Sequence, residues 1–386
     1  MIEITDKRNC TGCGACVNAC PLHIISMKED DEGFVYPVIE KETCIDCHLC
    51  EKRCPMLMER DAVCTSYQDF PLFFAGQLKN KDDLMEVSSG GAFWAFAQTV
   101  IEGGGVVYGA VQENVDQIYH IRAANLDEIK KIRRSKYFQS DTRLTFCQAK
   151  EDLKNGLTVL FSGTGCQIAG LKAYLNKDYN NLYTCEVICH GVPSRKVWNA
   201  YRKEKEQMEG KQITGLIFRD KSAGWSKNQY KISYHDGTEE KEASIKQLFH
   251  AGYLKGLFYR PSCGCCMFAS LPRVADITLA DYWKYEGRFC QPGEDMGVSL
   301  IAVNNEKGKS LLQQATLYME FDPTERELAL RSCKHMDEHP TENSDRNRFF
   351  RLFFKRGYHV AARKYIVGNP CKRFFSKLKR IIKQII

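Results

Sequence analysis

Residues 10–21 read CTGCGACVNACP and residues 44–55 read CIDCHLCEKRCP. Both carry the spacing C-x2-C-x2-C-x3-C-P. Three thiols on one tight loop can hold three corners of a compact polynuclear centre, and the fourth, stiffened by the proline after it, turns away. A doubled comb solves the problem this creates, because each loop's fourth cysteine completes the other loop's set. Cys10, Cys13, Cys16 and Cys54 then form one set, and Cys44, Cys47, Cys50 and Cys20 the other. Gly12 and Gly14 let the first loop wrap closely around its centre. A zinc site closes with four ligands on a single ion and has no need of the exchange.

The comb is the pattern of bacterial two-cluster ferredoxins, so two [4Fe-4S] clusters and one-electron transfer are expected of residues 1–58. Simple carriers of this kind end near there, whereas this chain runs to 386 residues. Its 19 cysteines point to metal ligation or redox chemistry rather than a disulfide framework. The opening MIEITDKRNC has no basic segment followed by an apolar one, and no apolar run approaches the ~18 residues of a membrane span. A cytoplasmic location is expected. Thirteen Lys and Arg and no acid lie between Arg346 and Ile386, so the net charge of +7 becomes −6 once they are set aside. The basic balance belongs to the tail, and no nucleic-acid partner is expected.

Beyond a polar connector (59–69), strand and helix signals alternate. PLFFAGQL, VVYGAV, LTVLFSG, LYTCEVICHG, ADITLADYW and VSLIAVNN read as strands. FWAFAQTVIEGG, CQIAGLKAYL and KGKSLLQQATLYM have helical spacing. NQYKISYHDGTEEKEASI reads as a hairpin turning at Asp236-Gly237. The pattern predicts an α/β or α+β body with a partly parallel sheet, behind a ferredoxin-like N-terminal domain and ahead of a basic helical tail.

RPSCGCCMF, at 260–268, crowds three cysteines into four positions. Cys166 and Cys189 fall where strands end, and such ends converge on one crevice of a parallel sheet. With Cys263 and Cys266 they make four thiols, enough for a third [4Fe-4S] cluster. Zinc on the same four is the alternative. Cys185 is the fallback for Cys189, and Cys265 is the spare. Cys64, Cys147, Cys290, Cys333 and Cys371 read as small packing residues.

Clusters pass single electrons, so a two-electron converter such as FAD is expected wherever an organic substrate is reduced. Two turns could receive its phosphates. SSGGA places Ser88, Ser89, Gly90 and Gly91 before a helix, where the alternative is an ordinary helix cap. SGTGCQIAG places Gly163, Thr164 and Gln167 at a strand–helix turn, but Ile168 stands where a nicotinamide fingerprint needs glycine. RRSKYFQSD puts Lys136 beside an aromatic residue, and the alternative there is a solvated basic turn.

The segments VSSGGAFWAF, RSKYFQSD, SGTGCQIAGLKAYL, EVICHGVPSRKVW, FRDKSAGW and FYRPSCGCCMFASLPRVADITLADYW together resemble a family. It is the beta subunit of coenzyme F420 hydrogenases and dehydrogenases, in a ferredoxin-fused form. The resemblance implies beta-subunit regions at 73–150 and 151–330, with the tail at 331–386. It also implies an FAD body with its own [4Fe-4S] cluster on Cys166, Cys189, Cys263 and Cys266. Ser88 to Gly91, Lys136 and Gln139 would lie near the flavin. Where relatives often have proline this chain has Gly165, and it reads Ala280 to Trp283 where they often have Gly-Asp-Phe-Trp.

The expected activity is electron flow from a low-potential, ferredoxin-like donor through the clusters to FAD and on to an organic substrate. The resemblance points to surface-polysaccharide synthesis as one setting. His190 and Trp283, with Tyr282, are the candidates for the substrate face. The rival is a non-catalytic electron-transfer subunit serving a partner enzyme. The tail CKRFFSKLKRIIKQII, echoed by RNRFFRLFFKRG, reads either as a basic amphipathic helix on the inner face of a membrane or as a helix covering the core.

Overall fold

The computed structural model describes residues 1–291 and 293–368. The helix expected at 371–386, Cys371 included, lies outside them. In the N-terminal module, β1 (Ile25–Glu29) and β2 (Val35–Ile39) form an antiparallel hairpin between the two cysteine loops. The remaining strands are β3 (Leu72–Leu78), β4 (Val106–Gln112), β5 (Ile118–Ala123), β6 (Val159–Thr164), β7 (Leu182–Val187), β8 (Ile213–Asp220), β9 (Gln229–Tyr234), β10 (Glu239–Ala243), β11 (Ile277–Asp281), β12 (Ser299–Val303) and β13 (Met319–Thr324).

Eight of them make one mixed sheet in the order β13-β3-β12-β11-β7-β6-β4-β5. The middle four, β11, β7, β6 and β4, run parallel, and the outer strands pair antiparallel. A parallel strand is covered on both faces and so reads as an unbroken apolar run. Val159, Leu160 and Phe161 of β6 are all fully buried. Alternation sends Leu160 to the face covered by the helix Ala92–Glu102, and Val159 and Phe161 to the face covered by Gly165–Leu175. In this sheet the edges β5 and β13 are the strands that the sequence pattern misses, as it misses β1, β2 and β8 elsewhere. Pro323 sits on an edge strand, where a missing N–H is tolerated. The helix at 306 ends at Gln314, and Met319 already belongs to β13.

The strands β10-β9-β8 form a separate antiparallel sheet, with Gly237 at positive φ in the β9–β10 turn. Its core includes Trp198, Phe249 and the helices Arg346–Arg356 and Tyr358–Ala362. The RNRFFRLFFKRG segment therefore covers the core: Phe349, Phe350 and Phe353 are buried, and Arg346 is buried against Glu32 of the N-terminal module, at 2.5 Å. Its resemblance to a membrane-docking stripe is corrected by that packing.

The polar connector is a strap rather than a free linker. Arg60 donates to the carbonyls of Met267, Ser270 and Pro272 at 2.7–2.9 Å, next to the 263–266 cysteines. Asn18 donates to Arg143 O at 2.8 Å and accepts from Cys147 N at 3.2 Å, so the first cysteine loop is seated on the body. Among the described residues no helix is long and apolar enough to cross a membrane.

Candidate metal centres

The two combs close around two clefts, and each takes its fourth cysteine from the other loop. Cys10, Cys13, Cys16 and Cys54 line one cleft of about 330 Å³. Cys20, Cys44, Cys47 and Cys50 line another of about 370 Å³. The two differ in depth. Cys16, Cys54, Cys20 and Cys50 share the module's own core, but Cys13 of the first set is buried against the body, whereas Cys47 of the second is exposed and Cys44 partly so. We term them the inner and outer sets. The inner loop needs glycine for space. A Cβ on Gly12 would stand 2.8 Å from Gln139 Nε2, and one on Gly14 2.2 Å from Thr142 Oγ1.

β6 and β7 are parallel neighbours with Thr164 opposite Val187, so the residues just beyond them meet. Cys166 sits in the first turn of the helix Gly165–Leu175, and Cys189 two residues past β7. The short helical turn Pro261–Cys265 brings Cys263 and Cys266 to the same place. Each thiol of this third set feels its neighbours. Burial first, and then the charge of Cys166, push Cys189 up to about 11. Burial and the charges of Cys166 and Cys189 push Cys266 up to about 12. Cys263 is raised by burial and by Cys189, Cys266 and Cys166. Partly buried thiols gathered so that Cys189, Cys263 and Cys266 each feel the charge of Cys166 favour a shared cation, which deprotonates its ligands.

The inner and third sets adjoin. Cys13 feels the charge of Cys166 as well as those of Cys16 and Cys54. A Cβ on Gly170, in the helix that carries Cys166, would stand 3.0 Å from Cys13 Sγ.

The surroundings fit iron–sulfur centres. Backbone N–H groups donate to sulfur: Ile2 to Cys50, Gly191 to Cys189 and Val192 to Cys263, each at 3.3 Å. The buried hydroxyls of Thr11 and Ser262 have no partner within the protein and lie on the inner loop and the third-set turn. Among the described residues no three His, Cys, Asp or Glu side chains converge on a point as one ion requires. Cys185 does not join the third set: strand pairing buries it beside Ile277, in the core with Leu160. Cys265 is exposed. Cys64 is buried as expected of a packing residue, but Cys290 is exposed and Cys147 accepts from Tyr174 Oη at 3.3 Å.

The residues expected at a flavin have other duties. Ser89 Oγ donates to Val298 O at 2.6 Å, and Ser88 Oγ accepts from Ser135 N at 2.9 Å. Gly90 is a packing glycine, since a Cβ there would lie 2.1 Å from Gly76 O. Gly91 is the left-handed cap of the helix Ala92–Glu102. Lys136 is no solvated turn residue: its ammonium donates to Ile132 O and Arg133 O, and burial lowers its pKa to about 7. Gln139 donates to Thr11 O and Gly12 O, holding the inner loop. Thr164 and Gln167 form a capping box, Gln167 also donates to Ser140, and a Cβ on Gly163 would touch Gln167. As arranged, these side chains bond to the protein's own backbone and to one another.

His190 lies beside the third set with its ring 4.5 Å from that of His335, and burial lowers its pKa to about 4. Trp283 is 42% exposed and stacks on Trp225 at 4.3 Å, with the Arg219 guanidinium 4.4 Å from its ring. Tyr282 is buried, its hydroxyl bonded to Thr324. Three residues at the site escape sequence reading. Arg260 is fully buried and reaches Cys10. Glu186 and Arg273 form a buried ion pair at 2.6 Å behind the third set. That pair explains Gly165, because any Cβ there would lie 2.7 Å from Glu186 Oε2. The charged letters inside apolar strand and loop text are the signal for all three.

Twelve cysteines in three neighbouring sets, two of them in a ferredoxin-like comb, define an iron–sulfur electron-transfer protein. Residues 9–57 match the 4Fe-4S dicluster domain. Residues 156–327 match the family described as the C terminus of the coenzyme F420 hydrogenase/dehydrogenase beta subunit. Among solved structures, the xenon-derivatised F420-reducing [NiFe] hydrogenase complex from Methanosarcina barkeri contains a similar chain. Identity is 17%, coverage 69% of this chain and 90% of that one, and the TM-score 0.45, too loose to carry residues across. No curated protein matches the chain.

Proposed function

We propose that the chain is an electron-transfer subunit that takes electrons at its outer cysteine set and delivers them beyond its third set to a partner enzyme. The observation that carries this is the packing of Cys13 on the helix that carries Cys166, where a Cβ on Gly170 would stand 3.0 Å from Cys13 Sγ, so that the ferredoxin module meets the body at its cysteines. Bound to the three sets, [4Fe-4S] clusters supply one-electron storage. The protein supplies the rest. The exposed Cys47 and the apolar Ile45, 63% exposed, give a soluble ferredoxin-like carrier a place to approach. Partial burial of the inner and third sets limits water along the path, and N–H groups aimed at sulfur favour the reduced state.

A second reading, an FAD-dependent reductase of an organic substrate, is favoured by the Trp225–Trp283 stack with Arg219 beside it, a flat platform that a planar ring could join. In that reading His190 is the nearest proton donor to the third set. Nothing in the site speaks for a sugar, so a polysaccharide role gains no support. The cofactor inventory of anaerobically purified protein tests both readings. About twelve irons, four per cluster, without flavin support the relay. One FAD per chain moves the assignment to the reductase. About eight irons remove the third set and with it the path.

A further inference from the structure

Arg260 is a fully buried cation that is not a ligand. It stands three residues before Cys263 and reaches back into the N-terminal module. Nε donates to Cys10 O at 2.8 Å, one Nη to Val35 O at 2.9 Å and to Cys10 Sγ at 3.5 Å, and the other Nη to Gln139 Oε1 at 3.3 Å. Its face lies 4.3 Å from the Tyr36 ring. The same charge favours the thiolate of Cys166, in the third set. Among the described residues no carboxylate lies within 4 Å of it. Every other buried arginine with which it can be compared has one: Arg273 has Glu186, Arg346 has Glu32, and Arg219 has Asp281 at 3.4 Å.

An arginine keeps its charge, and a buried charge without a counter-ion is strongly unfavourable. The compensating charge must come from the sulfur side. A [4Fe-4S] centre on four thiolates is a dianion and gains one more negative charge on reduction. A fixed cation at Cys10 therefore favours the reduced form at the inner set over the same reduction at the outer set, where side chains are solvated.

We propose that Arg260 is a positioning residue for electron transfer: it raises the reduction potential of the inner centre above that of the outer one, so that electrons entering at the surface run inward. The inference rests on the three-centre reading above. No co-reactant beyond the carrier is needed, since one electron leaves the donor and one arrives at the inner centre.

The test is an anaerobic redox titration of the intact holoprotein followed by electron paramagnetic resonance, on wild type, R260K, R260Q and R260M. R260Q removes the charge and can keep hydrogen bonds, and R260K keeps the charge. The expected result is that the inner signal's midpoint falls most in R260Q and R260M and falls less in R260K, the third-set signal shifts by a smaller amount, and the outer signal stays unmoved. Midpoints unchanged in R260Q, or all moved together, overturn the proposal. Should R260M lose iron, the R260Q and R260K pair still decides. A wild type with eight irons and two signals refutes the third centre instead, and the inner signal still tests Arg260.

Discussion

The two halves of the N-terminal module share one spacing and one backbone, and they differ in what covers them. Gly12 and Gly14 have φ of 69° and 82°, and Asp46 and His48 occupy the matching positions of the second comb at 51° and 58°. All four lie in the left-handed region that favours glycine. The inner loop has glycine because Thr142, Gln139 and Arg260 press on it. The outer loop faces solvent, so it carries side chains, and His48 and Asp46 approach each other at 3.6 Å. Glycine in such a motif reports a neighbour as much as a dihedral angle. The difference also separates entry from interior: one repeat meets a carrier and the other meets the body.

The contrast can be broken most completely at the ligands. Cys54→Ser should remove about four irons and stop electrons from passing inward, while Cys47→Ser removes as many and leaves the inner centre reducible by dithionite. Iron content and single-turnover reduction read both, and equal behaviour would erase the distinction between the sets. Behind the third set, Arg273→Met strands Glu186 and should lower unfolding free energy by about 3–5 kcal/mol in anaerobic denaturant titrations. Gly14→Ala should cost about 1–3 kcal/mol, from strain and from Thr142 at 2.2 Å. His48→Ala should change stability by less than about 0.5 kcal/mol, because its partners Glu51 and Asp46 are themselves solvated; a large loss there would show the outer loop to be as constrained as the inner.

The body offers its own reference. Lys221 donates to Leu84 O at 2.7 Å and to Ser89 O, and burial lowers its pKa to about 7 from 10.5. Between those values the unfolded chain binds more protons than the folded one, so stability should rise with pH, by at most about 1.4 kcal/mol per unit. Lys221→Met should flatten that slope relative to wild type. The outer pair again gives a small effect. Asp46→Asn should change stability by under about 1 kcal/mol, the scale of solvated ion pairs.

Much of this was legible in the text of the chain. The combs declare their exchange of fourth cysteines through spacing. The central strands show themselves as apolar runs because helices cover both faces. The edges β5 and β13 did not, being half solvated and mixed in character. Choosing Cys189 over Cys185 needed the end of β7, since alternation stops at Val187 and the chain turns toward Cys263. SSGGA could not be read one way, because small residues beside a strand serve close packing as readily as anion binding. Arg260 was hidden because its partner, Cys10, lies 250 positions away.

Arg346 holds Glu32 from 314 positions along the chain. During synthesis the N-terminal module leaves the ribosome first, and at about 5–20 residues per second its anchor follows roughly 15–60 s later. For that interval the β1–β2 turn that carries Glu32 lacks the ion pair that ties the N-terminal module to the helix Arg346–Arg356, so this tie forms only after the rest of the body has been made.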